Sequence, residues 1–207
     1  MSVSLLKMKR AVGEICEADK RFLPIVATHG ICTMGRSVSQ VSHFESLVES
    51  VVSQQLAVRA ADTIHGRLLV LANGKITPQR ISTLQPEDMR AAGLSGAKTK
   101  TIMGLSSAAL SGEVEINDLH LLDDEIVFEK LTSLWGIGPW TVDMFMMFQL
   151  GRLDIWPTGD LGVRRGWERI HSLKAQIEPA KLNSRGEKFR PYRSIVAWYC
   201  WRVLDNK

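Results

Sequence analysis

The chain has 207 residues, 45% apolar and 23% charged, with a formal net charge of +4. That is enough chain to bury a core without disulfide or metal staples, and the composition is that of an ordinary globular protein, one domain or two interlocked small lobes. Three widely separated cysteines, Cys16, Cys32 and Cys200, form no CxxC or Cys/His cluster, which argues against zinc or an iron–sulfur cluster and fits a reducing compartment.

Taken in chain order, the pattern reads as helix nearly throughout. Leu5, Met8, Val12 and Ile15 recur at helical spacing in a segment from Leu5 to Phe22 that stops before Pro24. The segment VSHFESLVESVVSQQ starts behind Ser39 and places Phe44, Leu47, Val48, Val51 and Val52 on one face. AVRAADTIHGRLLVLA ends at Asn73-Gly74, a good C-terminal stop. A short helix follows in LQPEDMRAAG, with Pro86 in its first turn, and another from Lys98 to Leu110, entered through LSGA and closed by Ser111-Gly112. Asp123 to Ser133 is amphipathic. After it come the stretch LWGIGPWTVDMFMM (Leu134 to Met147), a segment from about Asp160 to His171, and a last helix from Tyr192 to Leu204. LNSRGEKFRP reads as a loop. No stretch alternates with period two, so the fold class is all-α, with about nine or ten helices.

Charge is spread unevenly. Residues 1–150 carry 14 Lys and Arg against 16 Asp and Glu, whereas residues 151–207 carry 12 against 6. A basic C-terminal quarter suits a polyanion-binding face, although ordinary surface scatter gives the same count. The first residues lack the apolar core of a signal peptide, and no run reaches the length of a membrane span. The expected setting is intracellular and off the membrane: cytoplasm or nucleoid in a bacterium, nucleus in a eukaryote.

In Leu134-Trp135-Gly136-Ile137-Gly138, two glycines one residue apart join two helices, with Pro139 as a natural first helical residue. Such a corner leaves backbone N–H groups uncovered at a helix N-terminus, a ready phosphate site, with Ile137 anchoring it to the core. A plain corner between helices also favours glycine. The longer pattern (apolar, any residue, Gly, aliphatic, Gly, Pro, then helix) resembles the helix-hairpin-helix motif, a DNA-backbone binder.

About twenty residues on comes DIWPTGDLGVRRG, Asp154 to Gly166. A hairpin followed at this distance by an aspartate in a P-x-G-D setting resembles the helix-hairpin-helix DNA glycosylase superfamily. ESVVSQQLAVRAADTIHGRL looks like its helix–loop–helix carrying an intercalating wedge, and FRPYRSIVAWYCWRV looks like the C-terminal helix of its 3-methyladenine (alkylpurine) branch in compact form. The resemblance covers about Val38 to Val203. It implies two helical lobes with a cleft between them: residues 38–158 with the wedge and hairpin, and residues 1–37 plus 159–207. Lyase-active members carry a lysine two residues after the second hairpin glycine; here that position is Trp140, which removes the amine needed for a Schiff base. The four-cysteine cluster of endonuclease III-like members is absent, as is the N-terminal β-domain of some alkylpurine glycosylases.

On that resemblance, Asp160 is the catalytic carboxylate, while from position alone it is a helix N-cap; both roles can hold, since a helix N-terminus favours negative charge. Asp143 is the competing carboxylate. Gln54, Gln55 and Leu56 occupy the wedge corner, with Gln55 first and Leu56 next. Trp140 and Trp201 match base-pocket positions, and Trp156 stands close to Asp160 in sequence; electron-rich rings suit cationic alkylpurines. Gly136, Ile137 and Gly138 would meet phosphate at the hairpin, with Ser95, Gly96, Lys98, Arg164, Arg165 and the Lys181–Arg193 group as further phosphate contacts. The resemblance also implies a structural monovalent cation, sodium or potassium, on carbonyls of Leu134, Ile137 or their neighbours, and no required cofactor. The expected activity is that of a monofunctional glycosylase acting as a monomer on double-stranded DNA, releasing alkylated purines such as 3-methyladenine and 7-methylguanine. A non-catalytic helix-hairpin-helix module for DNA structure or damage is the alternative, and a bifunctional glycosylase/lyase is the third reading.

Overall fold

The computed structural model describes residues 3–36 and 40–205, and over these residues the chain forms helices, turns and loops with no strand. Residues 37–39, and with them the lobe boundary read at 37–38, lie outside the described residues; the helix read as starting behind Ser39 begins only at His43, since residues 40–42 are not helical.

Apolar spacing decides where most helices form and which face they bury. In α3 (His43–Ser53), Phe44, Leu47, Val48, Val51 and Val52 repeat at helical intervals and are each at most 2% exposed. The helix starts where the Ser42 hydroxyl accepts the Glu45 N–H at 3.1 Å. Twelve α-helices are present among the described residues. Besides α3 they are α1 (Leu5–Ala18), α2 (Phe22–His29), α4 (Val58–Leu71), α5 (Pro78–Ile81), α6 (Pro86–Ala91), α7 (Gly96–Ser111), α8 (Asp124–Thr132), α9 (Pro139–Met144), α10 (Leu161–Ile170), α11 (Pro179–Gly186) and α12 (Arg193–Arg202). A π-helical turn continues α9 over Phe145–Gln149.

Three elements differ from the sequence reading, which includes no helix at α5 (Pro78–Ile81). The first helix ends at Ala18, and a second, α2, begins at Phe22 with Pro24 inside its first turn; a proline there forfeits no helical hydrogen bond, so Pro24 does not stop the chain. The stretch LNSRGEKFRP is no loop: α11 starts on Pro179, buries Leu182, and runs into a 3-10 turn over Glu187–Phe189. Its polar composition hid two apolar anchors, Leu182 and Phe189.

The chain divides into two compact units, Ser39–Phe145 and Met1–Val38 with Met146–Lys207. The second break thus falls inside the π turn, where the sequence reading placed it after residue 158. The Ser39–Phe145 unit holds α3 to α9 around Phe44, Leu47, Leu68, Ile81, Met89, Ile102, Leu119 and Leu131. The other unit packs α1, α2 and α10 to α12 around Met8, Ile15, Phe22, Phe189 and Tyr199. No helix is long and apolar enough to cross a membrane among the described residues.

Within this second unit a buried carboxylate ties distant segments together. Asp19, with a side chain 3% exposed, receives Lys188 Nζ at 2.9 Å and Arg21 Nη1 at 3.1 Å and faces His171 Nε2 at 3.2 Å. Burial alone would raise its pKa, but the Lys188 ammonium, the Arg21 backbone N–H and His171 together hold it well below the usual carboxylate range. A depressed carboxylate pKa stabilises the fold above the ordinary value of about 4 and loses that contribution as the pH falls below it. Asp19→Ala is expected to lower unfolding free energy by about 3 kcal/mol at neutral pH, with the gap to wild type closing in acid. Urea denaturation followed at neutral and acidic pH measures both effects.

Candidate active site

The α10–α12 unit builds a fixed carboxylate. Asp160 caps α10: its Oδ1 accepts the Val163 N–H at 2.7 Å, and the same oxygen accepts the indole N–H of Trp201 at 2.9 Å. Two glycines one helical turn apart on α10 make the second contact reachable. A Cβ on Gly166 would collide with the backbone carbonyl of Cys200, and one on Gly162 would lie 2.8 Å from Trp201 Cδ1. With hydrogen in both places, α12 crosses directly against α10, and the Trp201 ring lies over Gly162 with its nitrogen on Asp160. Cys200 is no competing nucleophile, because burial, aided by the charge of Asp160, pushes its thiol far above its usual range.

Trp201 is half-buried and has an aromatic neighbour that sequence reasoning passed over. Phe148, 51% exposed, stands with its ring centroid 5.7 Å from that of Trp201 at 32°. Its helical context reads as core, yet it lies exposed within the π turn; π turns are often found at functional sites. Beside the carboxylate, then, lies a partly open aromatic surface able to receive a flat cationic ring.

Trp156 does not join it. That indole is 9% exposed, donates Nε1–H to the Leu182 carbonyl at 3.1 Å, and meets Trp167 edge-on; a Cβ on Gly186 would strike it. It is a core residue, with its polar atom satisfied by α11. The Lys181–Arg193 group is likewise largely spent on internal acids. Lys188 binds Asp19, Arg190 binds Glu187 and Asp154, and Arg193, 8% exposed, binds Asp154 through Nε at 2.8 Å. Arg165 is exposed, as a phosphate contact requires, whereas Arg164 is half-buried with its Nε enclosed.

In the Ser39–Phe145 unit, the two hairpin glycines prove unlike. Gly136 has φ +82°, and a Cβ there would collide with Thr101 Oγ1, so both backbone and packing demand glycine. Gly138 has an ordinary φ of −96° and open space where a Cβ would stand. Among the described residues nothing lies within 4 Å of that position, so packing does not require glycine there. Ile137 is buried at 3% exposure and anchors the corner. Trp135 is 55% exposed beneath the Lys100 ammonium, 4.3 Å from the ring centroid, which puts a cation beside the corner that the sequence reading did not single out. Trp140, on the first turn of α9, is half-buried.

The wedge corner separates into a brace and a tip. Gln54 donates Nε2–H to Thr141 Oγ1 at 2.9 Å and to the Gly136 carbonyl at 3.2 Å, so it is tied to the hairpin and is not an inserting residue. Gln55 is exposed at φ +56°, Leu56 is 40% exposed, and Val58, which the sequence reading omitted, is 78% exposed. Lys98 likewise serves the structure: its Nζ donates to the Val52 and Gln54 carbonyls at 2.8 Å each, closing the C-terminus of α3. Ser95 caps α7 by accepting the Lys98 N–H at 3.2 Å, beside the exposed Gly96. At the hairpin, the Leu134 carbonyl accepts the Ile137 N–H at 3.2 Å.

Residues 48–191 match the family described as HhH-GPD superfamily base excision DNA repair protein. Over 203 residues the chain is 32% identical to DNA-3-methyladenine glycosylase 1 of Schizosaccharomyces pombe, spanning 97% of this chain and 88% of that protein. The solved structure of the S. pombe 3-methyladenine DNA glycosylase Mag1 in complex with abasic DNA superposes with a TM-score of 0.86 at 32% identity, covering 93% of this chain and 95% of that one. A DNA-3-methyladenine glycosidase from Bacillus halodurans superposes with a TM-score of 0.79 at 33% identity, covering 92% and 87%.

The helix crossing gives a direct prediction. Gly166→Ala forces a methyl into the Cys200 backbone and is expected to cost about 3 kcal/mol, whereas Gly162→Ala meets side-chain atoms only, those of Trp201 and the Asp160 carboxylate oxygen. In the second variant the unit stays folded and the Trp201 indole N–H resonance loses the shift its carboxylate partner gives it, as two-dimensional NMR can show.

Proposed function

The chain belongs to the HhH-GPD superfamily of base excision DNA repair proteins, and from that membership we propose that it is a monofunctional DNA glycosylase acting as a monomer on alkylated purines in duplex DNA. The observation that carries this reading is the Asp160 carboxylate, held by the α10 cap and the Trp201 indole beside the aromatic pair Trp201 and Phe148.

The chemistry follows from charge. A purine methylated at N3 or N7 is cationic, so its departure takes the C1′–N bonding pair onto the base and neutralises it. The sugar left behind becomes oxocarbenium-like, and a fixed carboxylate stabilises that positive charge. Water then bonds to C1′, and its proton passes to the carboxylate or to solvent, leaving an abasic site. Because the leaving group is already activated, one carboxylate suffices without a paired acid. The base must first leave the stack, at a cost of a few kcal/mol, with Gln55 and Leu56 filling the gap.

DNA would be held mainly by backbone groups. The uncrowded corner at Gly138 and the cations Lys100 and Arg165 suit phosphates. The carbonyls of Leu134 and Ile137 would hold a monovalent cation whose charge adds to that attraction. Trp140 stands where lyase-active members carry their amine, which supports hydrolysis without strand cleavage. 3-Methyladenine and 7-methylguanine are the substrates that this combination of a cationic-ring surface and a lone carboxylate fits.

Asp160→Asn keeps the helix cap and removes the charge, so folding should persist while release of methylated bases from duplex DNA falls by about a hundredfold or more; chromatography of released bases measures it, and undiminished release would reject Asp160 as the catalytic group. Borohydride added during turnover of the wild-type protein should trap no covalent protein–DNA adduct on denaturing gels, since no amine attacks the sugar.

A further inference from the structure

We infer that Gln54 is a positioning residue that couples DNA-backbone engagement at the hairpin to insertion of the wedge; the inference rests on the glycosylase reading above. A carboxamide nitrogen has two N–H donors. In Gln54 one meets the hairpin carbonyl of Gly136 and the other the hydroxyl of Thr141, which is 1% exposed on α9. One side chain therefore grips both the corner and the helix that follows it.

The backbone of the same residue is gripped from another direction. Lys98 donates to the carbonyls of Val52 and Gln54, so the last turn of α3 is clamped to α7. Gly136 packs against Thr101, also on α7, closely enough to exclude any side chain. Wedge root, hairpin corner and α7 thus form one closed loop of contacts. The tip leaves this frame at the next residue: Gln55 takes a left-handed φ of +56°, which for a residue with a Cβ costs about 1 kcal/mol or more and persists only when the flanking chain is fixed.

When phosphate seats at the hairpin, the Gly136 carbonyl is held with it, and the Gln54 amide transmits that position to the turn bearing Gln55 and Leu56. Without the amide, the hairpin still binds the backbone while the tip is no longer aimed. Insertion then suffers more than affinity does.

The test uses the full chain and a duplex carrying 2-aminopurine beside a tetrahydrofuran abasic analogue, whose fluorescence reports insertion without any base being released. Anisotropy on undamaged duplex reports backbone binding separately. Gln54→Met, which keeps the shape and loses the donors, is expected to bind undamaged duplex within about twofold of wild type yet show a roughly fivefold smaller inserted fraction, the size of one neutral hydrogen bond. Thr141→Val, which removes the acceptor from the other side, should reproduce the defect if Gln54→Met does not fold. Leu56→Ala truncates the wedge itself, and combining it with Gln54→Met should add nothing further, since both act on one event. Full insertion by both Gln54→Met and Thr141→Val, equal losses of insertion and undamaged-duplex binding, or simple additivity with Leu56→Ala would each overturn the coupling. Base release by the wild-type protein from methylated duplex, measured alongside, tests the glycosylase reading separately.

Discussion

The contact on which the candidate active site depends is the crossing of α10 and α12 at Gly162 and Gly166. Helix faces normally meet through side chains, which keep backbones apart. Here two hydrogens stand where methyl groups would strike Cys200 and Trp201, and the closeness so gained is spent on one polar bond, the indole of Trp201 to the carboxylate of Asp160. Asp160 is at once the N-cap of α10 and the charged group of the site, so the force that starts the helix also sets the carboxylate's direction. A group constrained in this way needs no reorganisation when positive charge develops nearby, which is the condition under which electrostatic catalysis is strongest.

The Ser39–Phe145 unit follows a related logic with backbone groups. Its hairpin needs one glycine for conformation and packing, Gly136, while Gly138 has ordinary backbone angles and open space beside it, a difference that the bare G-x-G spacing conceals. Around it, Gln54 and Lys98 turn polar side chains inward to satisfy carbonyls at a helix end and a tight corner, where open backbone groups would be costly. The residues left pointing outward, Gln55, Leu56 and Val58, are those without such duties.

Much of this was legible in the sequence, and the limits have physical causes. Helical spacing placed α3 and its buried face correctly because every apolar position there is buried. The N-cap position of Asp160 and the inward Ile137 were readable from local rules that tertiary contacts did not override. Trp156 was misread because nearness in sequence to Asp160 says nothing of side-chain direction, and the chain turns between them. Gln54 and Lys98 were misread because a polar residue beside a binding motif looks the same whether it faces a ligand or a backbone carbonyl. Phe148 was invisible, since it stands exposed directly after the buried Phe145, Met146 and Met147 in a run that is apolar throughout. The basic C-terminal quarter overstated its attraction for a polyanion: Asp19, Asp154 and Glu187 claim several of its charges.

Trp201 offers the sharpest test of the central claim, that an indole-held carboxylate carries the reaction. Trp201→Phe keeps a smaller aromatic ring against Phe148 and loses, with the five-membered part of the indole, the N–H that reaches Asp160. Single-turnover release of 7-methylguanine from duplex DNA is expected to slow by roughly tenfold in this variant, as for a lost hydrogen bond to a charged group, with DNA affinity unchanged. A release rate equal to wild type would contradict the account.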